Sequence, residues 1–483
     1  MASPIKFGTD GWRGIIAEDF TFDNVRICAQ AVADYLKQDA LEGRGLVIGY
    51  DTRFASEDFA AAAAEVMAGN GIRVPLCVKP APTPVVSFAV PATNAAGGIV
   101  ITASHNPGSW NGFKYKSQDG ASAPGEIISR IEENVASLTR SSSPAQDGQP
   151  EGVKRLALDR ALEKGLVERL DPSPGYFEHI GRFVDVAKLR RQELRVVVDS
   201  MYGAGIGYFR TALQNGSLEI TEINGEPNPS FPGIQPEPIA RNLTGLSRLI
   251  VEQKADVGLA TDGDADRIGI VDENGRFLNQ HQVFALLCLY LLEVRGERGA
   301  IIKTLTSTTM LSRLGQIYDV PVHETAVGFK YVAPVMMEKN ALIGGEESGG
   351  YGFRGHVPER DAILAGLYFL DFMAETGKTP SQLLEHLYSK VGPHYYDRTD
   401  FHISAARREE VLRRLDSVSP DTIAGSKVVR ADTIDGFRYV LADESWLLIR
   451  FSGTEPLLRV YSEAEDLERA RELLTAGKEL AGL

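Results

Sequence analysis

The sequence predicts an α/β protein of three α/β domains with mixed, largely parallel sheets, followed by a smaller C-terminal α+β domain. Three observations carry that expectation. Apolar runs alternate with helical patterns in three successive blocks, the mark of βαβ units around a parallel sheet. Beyond about residue 380 the texture changes to closely spaced β-rich runs with two helical segments. The 483 residues also exceed one ordinary core, since domains usually run about 100 to 200 residues.

In chain order, residues 46–101 read GLVIGYDTR, the Ala-rich FAAAAAEVMAGNG, IRVPLCV, PTPVVSFAV and GGIVITAS, alternating strand and helix. RVVVDSMYGAG, YFRTALQNG and LEITEING form the second block. DVGLATDGDADRIGIVDENGR and AIIKTLTSTTM open the third. YYDRTDFHI, KVVRADTIDGFRYVLAD, SWLLIRFSG and LLRVYSEA then read as antiparallel strands, with ARREEVLRRL and LERARELLTAG as helices. The polar stretch RSSSPAQDGQPEGVKR suits an exposed connection and places a boundary near residue 150. The domains expected are therefore 1–150, 151–258, 259–378 and 379–483, with a hinge near residues 375–395.

With 51 Lys and Arg against 65 Asp and Glu, the formal charge of −14 disfavours nucleic acid and anionic lipid as partners. Cys28, Cys77 and Cys288 lack metal-ligand spacing and read as buried thiols of a reducing compartment. The N-terminus MASPIKFGTDGW carries no secretory apolar region, and VFALLCLYLLEV is broken by Glu293 well short of a membrane span. A cytoplasmic protein that binds neither nucleic acid nor membrane is the expectation.

TDGDADR puts Asp262, Asp264 and Asp266 at alternate positions of a loop, where three carboxylates can converge on one hard cation such as Mg²⁺. An EF-hand loop is excluded at its sixth position, which needs glycine and here holds Arg267. TASHNP ends an apolar run with Ser104 and His105 and lacks the G-x-S-x-G elbow of acyl transfer. A phosphate on Ser104 would bring nearly two negative charges to the strand end, a natural partner for the cation. GGEESGG offers Glu347 and Ser348 to sugar hydroxyls on a glycine-rich backbone. RFSGTEPLLR gathers Arg450, Ser452, Gly453, Thr454 and Arg459 as an anion site. Gly203, Gly205 and Gly207 run G-x-G-x-G, not the dinucleotide G-x-G-x-x-G, so that turn reads as structural.

TASHNP, TDGDADR, GEESGG and RFSGTEP in this order, with FGTDGWRG before them, resemble the signatures of the α-D-phosphohexomutases across nearly the whole chain. The resemblance implies four domains around a central cleft. It implies that Ser104 carries the transferable phosphate and, with Asp262, Asp264 and Asp266, ligates Mg²⁺. The implied reaction interconverts hexose 1-phosphate and hexose 6-phosphate through a bound 1,6-bisphosphate, with glucose 1,6-bisphosphate as activator. RFSGTEP would hold the distal phosphate and GEESGG the hydroxyls. Arg13, Lys114 and Arg267 match positions near the phosphoserine, and His105 and Lys114 are candidates for moving the hydroxyl proton. Lys303 and Lys330 are expected to line the cleft. A monomer or homodimer is expected.

Departures from the family's patterns bear on the sugar. Dual glucose and mannose mutases tend to read GEMSGH where this chain has GEESGG, and glucose-type loops look like GEESFG and TGWK, similar to GEESGG and VGFK here. Phosphoglucosamine mutases usually carry serine where Thr102 stands, and Ala265 replaces a commoner glycine. Glucose is expected first, then mannose, then glucosamine. A phosphoserine-using sugar phosphatase and a non-catalytic sugar-phosphate binder are the alternatives. The distal phosphate site argues against the first, and the retained serine and aspartates against the second.

Overall fold

In the computed structural model, which describes residues 5–8, 10–141, 152–452 and 456–483, the first block forms a six-stranded sheet. Its order is Trp12–Ile15, Trp110–Lys116, Gly98–Ile101, Val47–Tyr50, Val74–Cys77, Val167–Leu170. The last four strands are mutually parallel, and Trp110–Lys116 runs antiparallel to both its neighbours. VIGY, VPLC and GIVI are buried at every position, as strands covered by helices on both faces must be. The Ala-rich helix Ser56–Gly69 is one such cover; its small side chains let it pack closely on the sheet.

The expected end of this unit near residue 150 is corrected by the pairing of Val167–Leu170 with Val74–Cys77. Part of the polar connection, residues 142–151, lies outside the described residues. A polar surface excursion and a domain boundary have the same composition, and only strand pairing separates them.

The second sheet runs Phe277–Leu278, Ile268–Val271, Val257–Thr261, Arg195–Asp199, Glu219–Ile223. Val257–Thr261 is parallel to Arg195–Asp199 and antiparallel to Ile268–Val271. The expected boundary at 258 therefore falls inside a sheet, and TDGDADR is the turn between two strands of the second unit. The third sheet orders Val322–Thr325, Ile301–Thr304, Ile343–Gly345 and Tyr351–Phe353, the first three parallel. Helix Pro380–Val391 buries Leu383, Leu387 and Val391 in the large shared core of the first three units, against helix Gln280–Leu289. The fourth unit thus begins not at 379 but at Tyr395, and the chain crosses to it through Gly392–His394, leaving little of the expected 375–395 hinge unpacked.

That last unit is antiparallel throughout, ordered Tyr395–His402, Leu457–Ala464, Trp446–Phe451, Phe437–Leu441, Ser426–Asp432, Thr422–Ile423, with helices Ala405–Ser417 and Leu467–Ala481. It keeps its own core around Val411, Ile449, Leu458 and Leu473. All three cysteines are buried and free. Among the described residues no helix is long and apolar enough to cross a membrane.

The fourth unit docks on the third through Leu305, Trp446, Leu448 and Tyr461 and through several carboxylates, Glu324 among them. Glu324 accepts hydrogen bonds from Arg438 Nη1 at 2.9 Å and Arg430 Nη2 at 3.0 Å, with Lys303 Nζ at 3.2 Å. Burial pushes its pKa up, but Lys303 and Arg438 outweigh that and bring it from 4.5 down to about 2. A carboxylate with a lowered folded pKa stabilises fully above its unfolded value and loses that contribution as pH falls through the folded one. Glu324→Gln is therefore expected to lower the melting temperature at neutral pH, with the gap to wild type closing as pH falls from 4.5 toward 2. A gap independent of pH across that window would show that the carboxylate charge does not hold the docking.

Candidate active site

Ser104 stands where strand Gly98–Ile101 leaves the sheet, at the carboxyl edge of parallel strands where α/β proteins gather ligands. Thr102 Oγ1 donates to Asp51 Oδ2 at 2.6 Å and accepts from the Ser104 N–H at 2.9 Å. Arg53, paired to Asp51 at 3.1 Å, donates to the carbonyls of Ser104, Asn106, Pro107 and Trp110 at 2.6, 2.6, 2.8 and 3.0 Å. One buried guanidinium thus wraps the whole loop. It holds Ser104 in the left-handed region, at φ 53°, which a serine rarely adopts unless its surroundings compel it. Arg13 Nη1 donates to Asn106 Oδ1 at 2.6 Å on the same loop.

The metal loop meets that serine directly: Ser104 Oγ donates to Asp262 Oδ2 at 2.9 Å, across 158 residues of chain. Asp262 Oδ1 accepts from the backbone N–H groups of Asp266 and Arg267 at 3.0 and 3.1 Å, which curls the turn. Asp264 Oδ2 is held by Thr83 Oγ1 and, at 2.8 Å, by Lys114 Nζ. Asp266 Oδ2 is held by Arg360 Nη2 at 2.7 Å and Lys114 Nζ at 3.4 Å. The other oxygens, Asp264 Oδ1 and Asp266 Oδ1, are buried with no hydrogen-bond partner among the described residues.

One oxygen from each of the three aspartates falls within 4.8 Å of the others. Burial, then repulsion from Asp264 and Asp266, pushes the Asp262 pKa well above the usual range. Buried oxygen donors with bare lone pairs and unrelieved repulsion fit a hard divalent cation.

Close approach of the two loops depends on glycine. A Cβ on Gly263 would lie 2.3 Å from the Ser104 carbonyl oxygen. The G-x-G-x-G turn packs behind: Ala204 N–H donates to Gly263 O at 2.9 Å, and a Cβ on Gly203 would lie 2.7 Å from that same oxygen. The turn is structural, as its spacing predicted, and the structure identifies the load it bears as the metal loop.

His105 is half-buried, with Nδ1 3.4 Å from Ser104 Oγ. Burial, followed by Arg267, Arg13, Arg53 and Lys114, holds its pKa well below the ordinary value, so the ring is neutral at pH 7. Lys114 differs. Burial opposes its charge, but Asp10 at 2.7 Å with Asp264 and Asp266 outweighs that and raises its pKa. As placed, Lys114 is paired with three carboxylates at once. Arg267 lies 3.7 Å from Glu237 and 3.9 Å from Asp266.

Sequence reasoning missed Asp10, Arg53, Lys116 and Arg360. Lys116 is fully buried on Glu359, Asp10 and Ser122. Asp10 sits in the quoted FGTDGWRG and Arg53 in the quoted GLVIGYDTR, so a signal was present. A buried arginine and a solvated one look alike in sequence.

At the other end, Glu347 accepts from Tyr396 OH at 3.1 Å with Arg398 Nη1 at 3.7 Å, joining the GEESGG loop to the fourth unit. Ser348 Oγ is buried without a hydrogen-bond partner among the described residues, consistent with a donor kept for a ligand. Arg450 and Arg459 are directly opposed across two strands, an arrangement that disfavours like charges. Asp435, 2.9 Å from Arg450, and Asp400, 3.6 Å from Arg459, relieve it in part. Ser452 is buried beside them, its N–H donating to Leu457 O at 2.9 Å; Gly453 and Thr454 lie outside the described residues. Lys303 does not line an open cleft. It is fully buried and donates to the carbonyls of Ser307 and Thr308 at 3.2 and 3.0 Å while pairing with Glu324. Lys330, in the first turn of helix Phe329–Lys339, lies 5.3 Å over the Tyr331 ring.

Four family models match the chain in order. They are Phosphoglucomutase/phosphomannomutase, alpha/beta/alpha domain I at residues 4–142, domain II at 174–275 and domain III at 279–391, with the C-terminal domain at 410–477. The chain is 34% identical over 475 residues to a phosphoglucomutase/phosphomannomutase of Thermococcus kodakarensis, covering 98% of each. It is 31% identical to a phosphoglucosamine mutase of Clavibacter sepedonicus, covering 96% of this chain and 95% of the relative. A crystal structure from Thermus thermophilus, assigned as a phosphomannomutase, superposes with a TM-score of 0.84 at 34% identity over 100% of both chains.

Proposed function

Since this chain belongs to the phosphoglucomutase/phosphomannomutase family of the α-D-phosphohexomutases, we propose that its preferred reaction is interconversion of glucose 1-phosphate and glucose 6-phosphate. The observation that carries this reading is the 2.9 Å contact of Ser104 Oγ with Asp262, inside a cluster of three convergent carboxylates and three cations, Lys114, Arg267 and Arg360.

In this reading phosphorylated Ser104 is the donor. The sugar hydroxyl oxygen bonds to phosphorus as the Ser104 Oγ–P bond breaks, and the hydroxyl proton passes to His105, the imidazole nearest Oγ. The 1,6-bisphosphate turns over in the site. Its other phosphate returns to Ser104 Oγ as the sugar O–P bond breaks, and the proton goes back to the sugar oxygen. Mg²⁺ held by Asp262, Asp264, Asp266 and the serine oxygen would offset the charge that spreads over the transferring group. Lys114, Arg267 and Arg13 would act on the same charge from the protein side. Arg450, Ser452, Gly453, Thr454 and Arg459 hold the phosphate that is not reacting, and Glu347 and Ser348 take the hydroxyls in both orientations.

The glucose preference rests on GEESGG, which has no side chain at Gly350, and on VGFK. Its test is a panel of the 1-phosphates of glucose, mannose and glucosamine with a trace of glucose 1,6-bisphosphate, and intact mass read for phosphate on Ser104. The highest kcat/KM is expected for glucose. Faster turnover of either other sugar would overturn the preference, and inorganic phosphate released at the rate of substrate consumption would make the protein a phosphatase.

A further inference from the structure

Arg360 is the residue on which the three regions of the site meet. It precedes Asp361, whose side chain caps helix Ala362–Thr376 by accepting from the Leu364 N–H at 2.9 Å, so its backbone is anchored. Its side chain is almost fully buried and touches four carboxylates. Nη2 lies 2.8 Å from Asp10 and 2.7 Å from Asp266, Nη1 3.2 Å from Glu346, and Nε 3.4 Å from Glu359. Asp10 comes from the segment before the first strand, Asp266 from the metal loop, and Glu346 from the GEESGG loop beside Glu347. These contacts are not redundant. Asp10 is also paired by Lys114 and Lys116, whereas Asp266 Oδ2 has, among the described residues, Arg360 at 2.7 Å and Lys114 farther off at 3.4 Å.

Gly350 makes room for it. A Cβ there would stand 2.3 Å from Arg360 Cδ and 2.8 Å from Cγ. These are mid-chain atoms of a side chain tethered at its root by the helix cap and at its tip by the carboxylates, so it cannot swing aside cheaply. Gly350 itself is not among the residues with left-handed backbone, so alanine is excluded there by volume and not by conformation.

We propose that Arg360 is a positioning residue of the metal loop: by taking Asp266 Oδ2 it leaves Oδ1 as the oxygen for the cation, and by gripping Glu346 it ties the hydroxyl-binding loop to that cation. Gly350 is glycine so that the arginine can pass. Partners that orient a ligand in this way usually cost about 10- to 100-fold in metal affinity when removed.

The experiment is calorimetric titration of Mn²⁺ into the full chain without sugar, for wild type, Arg360→Ala, Arg360→Lys, Gly350→Ala and the Arg360→Ala/Gly350→Ala double variant. Arg360→Ala is expected to weaken Mn²⁺ by about 10- to 100-fold, and Arg360→Lys to recover part of that. Gly350→Ala should weaken Mn²⁺ on its own yet add nothing in the Arg360→Ala background, because the atoms it strikes are gone. Mn²⁺ affinity within about twofold of wild type for Arg360→Ala, or an equal loss from Gly350→Ala in both backgrounds, would overturn the proposal. If Arg360→Ala does not fold, unaltered Mn²⁺ affinity in both Gly350→Ala and Arg360→Lys would overturn it equally. No sugar is present, so the outcome is independent of the preferred hexose, and a wild type without mutase activity would sink the proposed function alone.

Discussion

Ser104→Ala is expected to lose about 10⁴-fold or more in kcat on any hexose phosphate while keeping its melting temperature near that of wild type. The side chain makes two described contacts, 2.9 Å to Asp262 and 3.4 Å to His105, and the loop conformation is held instead by Arg53 and Thr102 through backbone atoms. The alanine should therefore stand in the same place without the oxygen that carries phosphate. Intact mass after exposure to glucose 1,6-bisphosphate should rise by one phosphate for wild type and stay unchanged for the variant. Wild-type turnover by Ser104→Ala would refute a covalent carrier at this position.

Gly263→Ala is expected to be the most damaging single methyl group in the molecule for chemistry, with kcat down by about 10²-fold, the effect of roughly 1 Å of misplacement between reacting groups. The added Cβ would lie 2.3 Å from the Ser104 carbonyl oxygen, a rigid backbone atom already receiving Arg53 Nη2 at 2.6 Å. Neither side can yield alone. The serine loop is bound to Arg53 through four carbonyls, and the metal loop is backed by the Gly203 turn. Relief must come from separating the two loops, which lengthens the distance from Ser104 Oγ to Asp262. Overpacking of this kind costs about 1 to 3 kcal/mol of stability, so the fold should survive. Kinetics within about threefold of wild type would show that the loops are not held at contact distance. Asp262 and its neighbours keep their identities in this variant, so a loss reports geometry and not missing ligands.

The candidate site was legible in sequence to the extent that its groups are contiguous. TASHNP and TDGDADR each carry their chemistry within seven residues, and the structure brings Ser104 and Asp262 together as the convergence of those motifs implied. The βα alternation of residues 46–101 is present as strands Val47–Tyr50, Val74–Cys77 and Gly98–Ile101 with the two helices between them. The unit boundaries were less legible. The strand before TDGDADR looks the same whether it opens a new sheet or closes an old one, and Val167–Leu170, with only its first residue fully buried, carries little apolar signal as an edge strand.

By its own residues the chain determined the βα periodicity, the antiparallel C-terminal unit and the identities of the serine and the three aspartates, because period, loop spacing and donor chemistry are properties of neighbours along the backbone. Only the tertiary structure decided that Lys114 pairs with Asp10, Asp264 and Asp266 at once, that Arg53 wraps the serine loop, and that Arg360 passes over Gly350 to reach Asp10, Asp266 and Glu346. The reason is physical: whether a charge is solvated, paired or buried depends on which distant oxygens folding places within about 3 Å of it, and no local pattern encodes that distance.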